Sequence, residues 1–450
     1  MKQAITIPLL LICIQLAAQK AGTKTPYPSP ARKYTAPPTG FVPVFINHAG
    51  RHGARFLTKA GSDVEVLQVL EQAENSGALT ETGKRIEQMV RRFLLIEKGN
   101  YENITLLGQQ EQAAIARRMY RNYPQVFKGN GLEVLMTHKL RTQQSADAFL
   151  SVFGKYAGKK NYHVVPDSLD NTLRFYDLSP AYAAFRQSPA VRRSIDSLDN
   201  DARTSAVASA VCARVFNKTF TDRLLNGEVT LDIKQKKMAV TIVSFAENLY
   251  DLYCVQLSIP VEMKKRGFTR DSIDFGIAFL PKDLEWLGFK NGAEDFLEKG
   301  AGTDSLGIQV RVALPLLADF ITSTDAIVHK NAVTDAKLRF THAEAIAPFA
   351  ALLGLPQAST PSPSVYHYYR HWQAETIVPL SANIQWILYS NGKEWLVKTL
   401  LNERETSLPL PTTTWPYYKW DQVKAYYLRK LHRLHTDPQQ DMQQYLLDLQ

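Results

Sequence analysis

Apolar residues recur along this chain in two rhythms. Short runs at Phe41–Ile46, Tyr162–Val165 and Lys337–Thr341 have the length of strands. So does Leu132–Thr137, where Leu132, Val134 and Met136 alternate with Glu133, Leu135 and Thr137. Between these runs, apolar positions recur every three or four residues, as on one face of a helix. Ile86, Val90 and Phe93 form such a stripe after Leu79-Thr80-Glu81-Thr82-Gly83. Ile115, Met119 and Tyr123 form another, opening at Leu107-Gly108 and ending near Pro124. Asp63–Leu70 begins a further helix, and Ala146, Phe149, Leu150 and Phe153 share a face beyond the second strand.

The rhythm changes between Asp177 and Gly300, where the strand signal fades. Ser205–Leu225, Val243–Leu257 and Lys282–Glu298 read as helical, and Leu306–Thr322 is one more helix returning to the core. The helix Ala345–Leu353 follows the last short strand and stops at Gly354. Ala382–Tyr389 and Trp395–Asn402 predict a hairpin around Asn391-Gly392, and Trp420–His435 a basic terminal helix. The expected organisation is an α/β core over residues 41–176 and 301–450, interrupted by a helical domain over 177–300. Residues 20–40, rich in proline, form an extended arm without a core of its own.

Composition narrows the class. A hydrophobic share of 45% and a charged share of 21% are those of a soluble globular protein. The net charge of +10 favours an anionic partner. There is no dense Lys/Arg run and no nucleic-acid-binding fingerprint, so a small polyanion is favoured over nucleic acid. Lys2, the apolar stretch Ala4–Leu16 and Ala17-Ala18-Gln19 read as a cleaved export signal over residues 1–19. The apolar span is too short for a stable membrane anchor, and Ile12 before Cys13 does not suit a lipid-modified cysteine. Export to the periplasm or outside the cell is therefore expected. It leaves Cys212 and Cys254, either as a disulfide or as two free thiols.

Candidate chemistry gathers where strands end. The first strand leads into Asn47-His48-Ala49-Gly50-Arg51-His52-Gly53-Ala54-Arg55, which packs arginines and a histidine around a glycine. Guanidinium groups hold phosphate oxygens in a planar fork, and an imidazole between them can attack phosphorus. The second strand exits into His138-Lys139-Leu140-Arg141, and the strand at Lys337–Thr341 into His342-Ala343-Glu344. In open α/β sheets ligands sit beyond the carboxyl ends of strands, and helix N-termini there favour an anion. Three motifs spread over nearly 300 residues are thus expected to meet in one pocket. Alternate residues of an extended chain share a side, so His342 and Glu344 are expected to face it together.

These residues resemble a known family. Arg51-His52-Gly53-Ala54-Arg55 resembles the R-H-G-x-R motif of the histidine acid phosphatases, and His342-Ala343-Glu344 resembles the H-A-E of the multiple inositol polyphosphate phosphatase branch. Leu79-Thr80-Glu81 with Gly83, Ala116-Arg117-Arg118-Met119-Tyr120 with Asn122-Tyr123-Pro124, and Arg141-Thr142-Gln143-Gln144-Ser145-Ala146 are similar to that branch as well. The resemblance implies a histidine-phosphatase core sheet flanked by helices, with a mostly helical inserted domain. It implies metal-independent hydrolysis of phosphomonoesters of inositol polyphosphates, phytate included, through a phosphohistidine on His52. Arg51, Arg55, Arg141 and His342 would grip the phosphate, and Glu344 would protonate the leaving alcohol. No cofactor and no metal are expected.

Thr58 and Lys59 match the end of R-H-G-x-R-x-P-T-K in bacterial phytases, where they would bind a second substrate phosphate; Leu57 stands in place of the proline, which puts the backbone shape of that loop in question. Ala345 replaces a threonine often found after H-A-E. Ala343 and His138 join the substrate-binding candidates, His138 serving either the pocket or a cap. His367 and His371, four apart, lack a third metal ligand in sequence and have Arg370 beside them, which favours a structural role. His48 and the pair His432 and His435 read as structural or solvated groups; the basic residues of the helical insertion, such as Arg186, Arg192 and Lys264, read as a plain charged surface for the most part, with contacts to a polyphosphate as the alternative. A broad-specificity phosphatase and a non-catalytic polyphosphate-binding protein are the alternatives.

Overall fold

The strand expected to stop before the motif runs through it: β1 is Val42–Arg51. Its polar centre, Asn47 and His48, does not break it because both side chains are accommodated in the interior. Asn47 Nδ2 donates to Phe320 O at 3.0 Å and to the hydroxyls of Ser323 and Thr324. His48 packs against Phe149 and Phe340, and burial, with Arg339 nearby, drives its pKa down to about 3, so it is a neutral packing group.

The computed structural model describes residues 21–30, 33–154, 160–233 and 236–450; the expected export signal lies outside them. The remaining strands are β2 (Leu132–Thr137), β3 (Lys160–Val165), β4 (Val229–Ile233), β5 (Lys236–Val240), β6 (Ala336–Thr341), β7 (Asn383–Ser390), β8 (Trp395–Leu401), β9 (Arg404–Glu405) and β10 (Tyr417–Lys419). By its contacts the chain divides into two units. One comprises Tyr27–Gly53, Gly108–Arg192 and Ala293–Gln450; the other comprises Met1–Pro26, Ala54–Leu107 and Arg193–Gly292. The second unit thus draws on 54–107 as well as on most of 177–300, a different division from one continuous insert.

The first unit carries an eight-stranded sheet in the order β10-β8-β7-β1-β6-β2-β3, with β9 on the edge of β8. β1, β6, β2 and β3 run parallel, whereas β7 and β8 are the predicted antiparallel hairpin, turning at Gly392 with φ +86°. Helices flank the sheet, as the α/β expectation requires. Ile115 and Met119 of the helix Leu106–Asn122 and Ala146 and Phe149 of the helix Leu140–Leu150 pack on Val134, Met136, Leu338 and Phe340 in one apolar cluster. Each of these buried side chains larger than alanine contributes about 1.5–3 kcal/mol. The proline-rich arm docks along this unit: Tyr27 O–H donates to Glu403 Oε2 at 3.0 Å and Thr35 N–H to Glu405 Oε1 at 2.9 Å.

The second unit is mostly helical, with an exception that the sequence reading missed, the hairpin of β4 and β5. β4 alternates Val229, Leu231 and Ile233 with Thr230 and Asp232, but β5 opens on Lys236 and Lys237 and buries only Val240, so just one of the two strands carries the period-two signal. The stretch Ser205–Leu225 is two helices, Ala202–Val215 and Lys218–Leu225, because Asn217 stops the first and caps the second by accepting from Phe220 N–H at 3.0 Å. Gly83 opens the helix Glu81–Glu97 against Val215 O, where an added Cβ would lie only 2.1 Å away. Cys212 and Cys254 are buried free thiols. In the first unit Leu306–Thr322 is likewise divided, into Ile308–Arg311 and Leu314–Val328, with Pro315 at the start of the second. Among the described residues no helix is long and apolar enough to cross a membrane.

Candidate active site

Two parallel strands end side by side, β1 at Arg51 and β6 at Thr341, which pair in register. His52 and His342 follow directly. Main-chain bonds pin the segment past Arg51: Arg51 N–H donates to Ala382 O at 2.7 Å, His52 N–H to Thr341 O at 3.0 Å, and Ser381 N–H to His52 O at 2.9 Å. Gln112 Nε2 donates to Arg51 O at 2.9 Å and Gly53 N–H to Ser145 Oγ at 3.0 Å. The imidazole is therefore carried on an immobilised backbone.

Its tautomer follows from its neighbour. His52 Nδ1 lies 3.0 Å from Gly53 O. A carbonyl only accepts, so Nδ1 carries the proton and the lone pair sits on Nε2. That is the form in which an imidazole is a nucleophile.

Gly53 must remain glycine for the same geometry. A Cβ there would approach Gly108 O to 2.7 Å and Gly108 Cα to 2.8 Å, backbone atoms that cannot swing aside. Gly53→Ala is expected to lower kcat by about 10²-fold through displacement of His52 and to cost about 1–3 kcal/mol of stability. Kinetics and thermal denaturation on the same preparation check both.

His342 is the N-cap of the helix Ala343–Leu352, in extended conformation with φ −126° and ψ 173°. Its ring stands edge-on to that of His52, centroids 5.5 Å apart, and its Nε2 is 3.1 Å from Thr137 Oγ1 at the end of β2. Burial first, then the charge of Arg141, holds its pKa well below the usual histidine range, so the ring is neutral. Glu344 reaches the same place by another route than expected. It lies in the first turn of that helix and not on an extended segment, so the helix start, with its positive dipole end, sets its direction. Ala343 between them is buried.

Arg51 is buried and donates from Nη1 to Val378 O at 2.6 Å. Burial lowers its pKa to about 10 against the opposing charges of Glu344 and Asp295, and Arg141 adds to the lowering. It remains a cation at neutral pH. Arg141 lies in the first turn of the helix Leu140–Leu150. Arg51, His52, Arg141, His342 and Glu344 thus meet at one rim of the sheet in a single unit.

Arg55, Thr58 and Lys59 belong to the other unit. Arg55 Nη1 donates to Phe56 O at 2.7 Å, and Thr58 and Lys59 are exposed. The loop between them answers the question raised by Leu57. Its N–H, which a proline would lack, donates to Glu97 Oε2 at 3.0 Å. Glu97 is wholly buried, and burial raises its pKa from 4.5 to about 8 against the lowering by the Leu57 N–H; Asp63 adds to the rise and Arg55 opposes it. A carboxyl with a raised folded pKa binds more protons folded than unfolded, so its contribution is lost as pH climbs from about 4.5 to about 8. Relative to Glu97→Gln, the wild type should therefore lose stability over that window at up to about 1.4 kcal/mol per pH unit, measured by denaturant titration at several pH values.

His138 is placed against Arg174 Nη1, 2.9 Å from its Nε2, with Asp167 at 3.3 Å from its Nδ1. His367 and His371 are exposed at either end of the turn Tyr368–Arg370. Two charged residues of this rim escaped the sequence reading. Lys299, the last residue of the helix Pro281–Lys299, lies 3.2 Å from Glu344 Oε1 and 2.7 Å from Asp295 Oδ1. Their only signal was a Lys-Gly pair at a helix end, which reads equally well as a C-terminal charge facing solvent. Burial alone would raise the Glu344 pKa, but Lys299 above all, with Arg51, holds the carboxyl far below the usual range.

No curated protein sequence matches the chain. In structure, the chain is similar to the Bifidobacterium longum multiple inositol polyphosphate phosphatase in complex with inositol hexasulfate, with 23% identity, a TM-score of 0.77 and coverage of 90% of this chain and 97% of that one. The same protein with phosphate gives 22% identity and 0.78 over the same shares. The phytase from D. castellii gives 14% identity and 0.67, covering 94% of this chain and 88% of its own. These likenesses concern the fold. The description of the histidine phosphatase superfamily (branch 2) matches residues 50–402, from the glycine before Arg51 to beyond β8. With its two histidine motifs at adjacent strand ends inside that span, the chain belongs to branch 2 of the histidine phosphatase superfamily.

Proposed function

We propose that the protein hydrolyses phosphomonoesters of inositol polyphosphates, phytate among them, without a metal. The observation that carries the reading is the His52 tautomer, set by Gly53 O, amid Arg51, Arg141 and His342. Nε2 attacks phosphorus; the P–N bond forms as the ester P–O bond breaks, and Glu344 gives its proton to the departing oxygen. Water then attacks the phosphohistidine, Glu344 takes the proton back, and inorganic phosphate leaves. The guanidinium groups stabilise charge on the equatorial oxygens, where phosphoryl transfer gains most. His138 and the backbone at Ala343 receive further phosphates. The substrate class is supported by the net charge of +10 and by the inositol polyphosphate phosphatase and phytase among the similar folds. Action after export is part of the proposal, on the strength of Lys2 and Ala4–Leu16; N-terminal sequencing of the mature protein tests it.

The test of function is phosphate release from inositol hexakisphosphate in the presence of EDTA, with p-nitrophenyl phosphate in parallel. Preference for the inositol ester, unaffected by the chelator, is expected. Equal use of both substrates points to a broad monoester phosphatase, tight binding without release to a polyphosphate-binding protein, and loss in EDTA to a metal-dependent reaction.

A further inference from the structure

Glu344 has two duties in the reaction above, and its surroundings serve only one of them. As a base after phosphorylation it must be ionised; as the donor in the first step it must carry a proton. The groups facing it are largely cationic. Lys299 approaches to 3.2 Å from the end of the helix Pro281–Lys299 and Arg51 acts from the end of β1, while the neutral ring of His342 stands before it on its own helix. Arg186 faces it from the helix Pro180–Arg186 but is itself engaged by Glu298 at 2.7 Å. Tyr176 and Tyr182 complete the surround; burial first, with Glu344 among the contributing charges, raises both phenols, so they are neutral. The opposing anion, Asp295, sits one helical turn before Lys299 and bonds it at 2.7 Å. Asp295 therefore anchors the lysine whether or not Glu344 is charged. The lysine side chain is 15% exposed and that of Glu344 35%, so the pair is screened less than an ion pair in open water.

Resting on the phosphatase reading, we propose that Lys299 is a positioning residue that keeps Glu344 ionised in the empty site, so that the donor proton is loaded only when a polyanionic ester arrives. The ester's negative charge competes for Lys299 and Arg51 and raises the proton affinity of the carboxyl. A proton from solvent then adds to Glu344. It leaves with the alcohol when the P–O bond breaks and the P–N bond to His52 forms. The carboxylate that remains is the base needed for the second step, again beside Lys299. The same lysine thus serves both halves of the cycle, and the acid is armed by substrate charge.

Two measurements test this. The first is proton uptake on binding inositol hexasulfate, by calorimetry near pH 5 in buffers of different ionisation enthalpy. Sulfate esters stay ionised there, so any proton taken up goes to the protein. Wild type is expected to take up more than Glu344→Gln, the difference approaching about one proton, and Lys299→Arg to behave as wild type. In Lys299→Met the carboxyl is already partly protonated, and the uptake falls. Equal uptake by wild type and Glu344→Gln overturns the proposal, and so does undiminished uptake in folded Lys299→Met. The second is the descending limb of kcat/KM against pH for inositol hexakisphosphate, expected to move up by about one unit or more in Lys299→Met. A lowered rate with an unmoved limb gives Lys299 a structural role only. The uptake measurement needs no turnover, so wild type that binds the polyanion but releases no phosphate removes the function and leaves the Lys299–Glu344 coupling separately decided.

Discussion

Replacing His52 by alanine should reduce phosphate release from inositol hexakisphosphate by on the order of 10⁴-fold or more, the scale of losing a covalent nucleophile. No neighbouring group can take its place. The other imidazole, His342, is 5.5 Å away between ring centroids and its Nε2 is committed to Thr137. The fold should survive, because the segment is held by main-chain bonds to Thr341, Ala382 and Ser381 that alanine retains. Binding of inositol hexasulfate should persist in the variant, since the cationic groups stay. Acid-stable labelling would mislead, as phosphohistidine is acid-labile; trapping under alkaline conditions should find label on wild type and none on His52→Ala. Undiminished turnover in the variant would remove the covalent mechanism outright.

The second large effect is selective. Glu344→Gln keeps the shape of the side chain but has no proton to give. Hydrolysis of inositol hexakisphosphate should fall by about 10²–10⁴-fold, the usual value of a positioned general acid. With p-nitrophenyl phosphate the leaving oxygen needs little protonation, and the first step should suffer far less. The pH dependence follows from the same requirement. Lys299 holds the Glu344 carboxyl ionised over the mildly acidic and neutral range, so the protonated fraction shrinks as pH rises and the wild-type rate on alkyl phosphates declines with it. Equal losses on both esters, or a rate flat from acid to neutral pH, would take Glu344 out of the donor role.

How much of this was legible beforehand differs residue by residue. β2 was read from end to end, Leu132–Thr137, since its alternation is undisturbed. β1 was read short because Asn47 and His48 look like loop residues; they are strand residues whose polar atoms meet partners from the helix Leu314–Val328 or lie neutral among aromatic rings. The hairpin of β4 and β5 was missed because its alternation is confined to the five residues of β4, while β5 begins with two lysines and buries only Val240. In the rim, residues carried by short motifs were found, and residues carried by helix ends were not. Arg51, His52, Arg141, His342 and Glu344 stand at strand exits, where the sequence pattern has meaning. Lys299 and Asp295 stand on a helix whose pattern describes only its packing.

The sequence by itself determined the parallel α/β core, the two histidine motifs at strand ends and the superfamily, because local periodicity and short motifs are properties of neighbouring residues. Tertiary structure decided the protonation states. Which nitrogen of His52 holds its lone pair depends on Gly53 O, whether His342 is neutral depends on its burial beside Arg141, and whether Glu344 is charged depends on Lys299, 45 positions away in the chain. Proton affinity is set by the field and the solvent at a point in space, and chain order does not specify either.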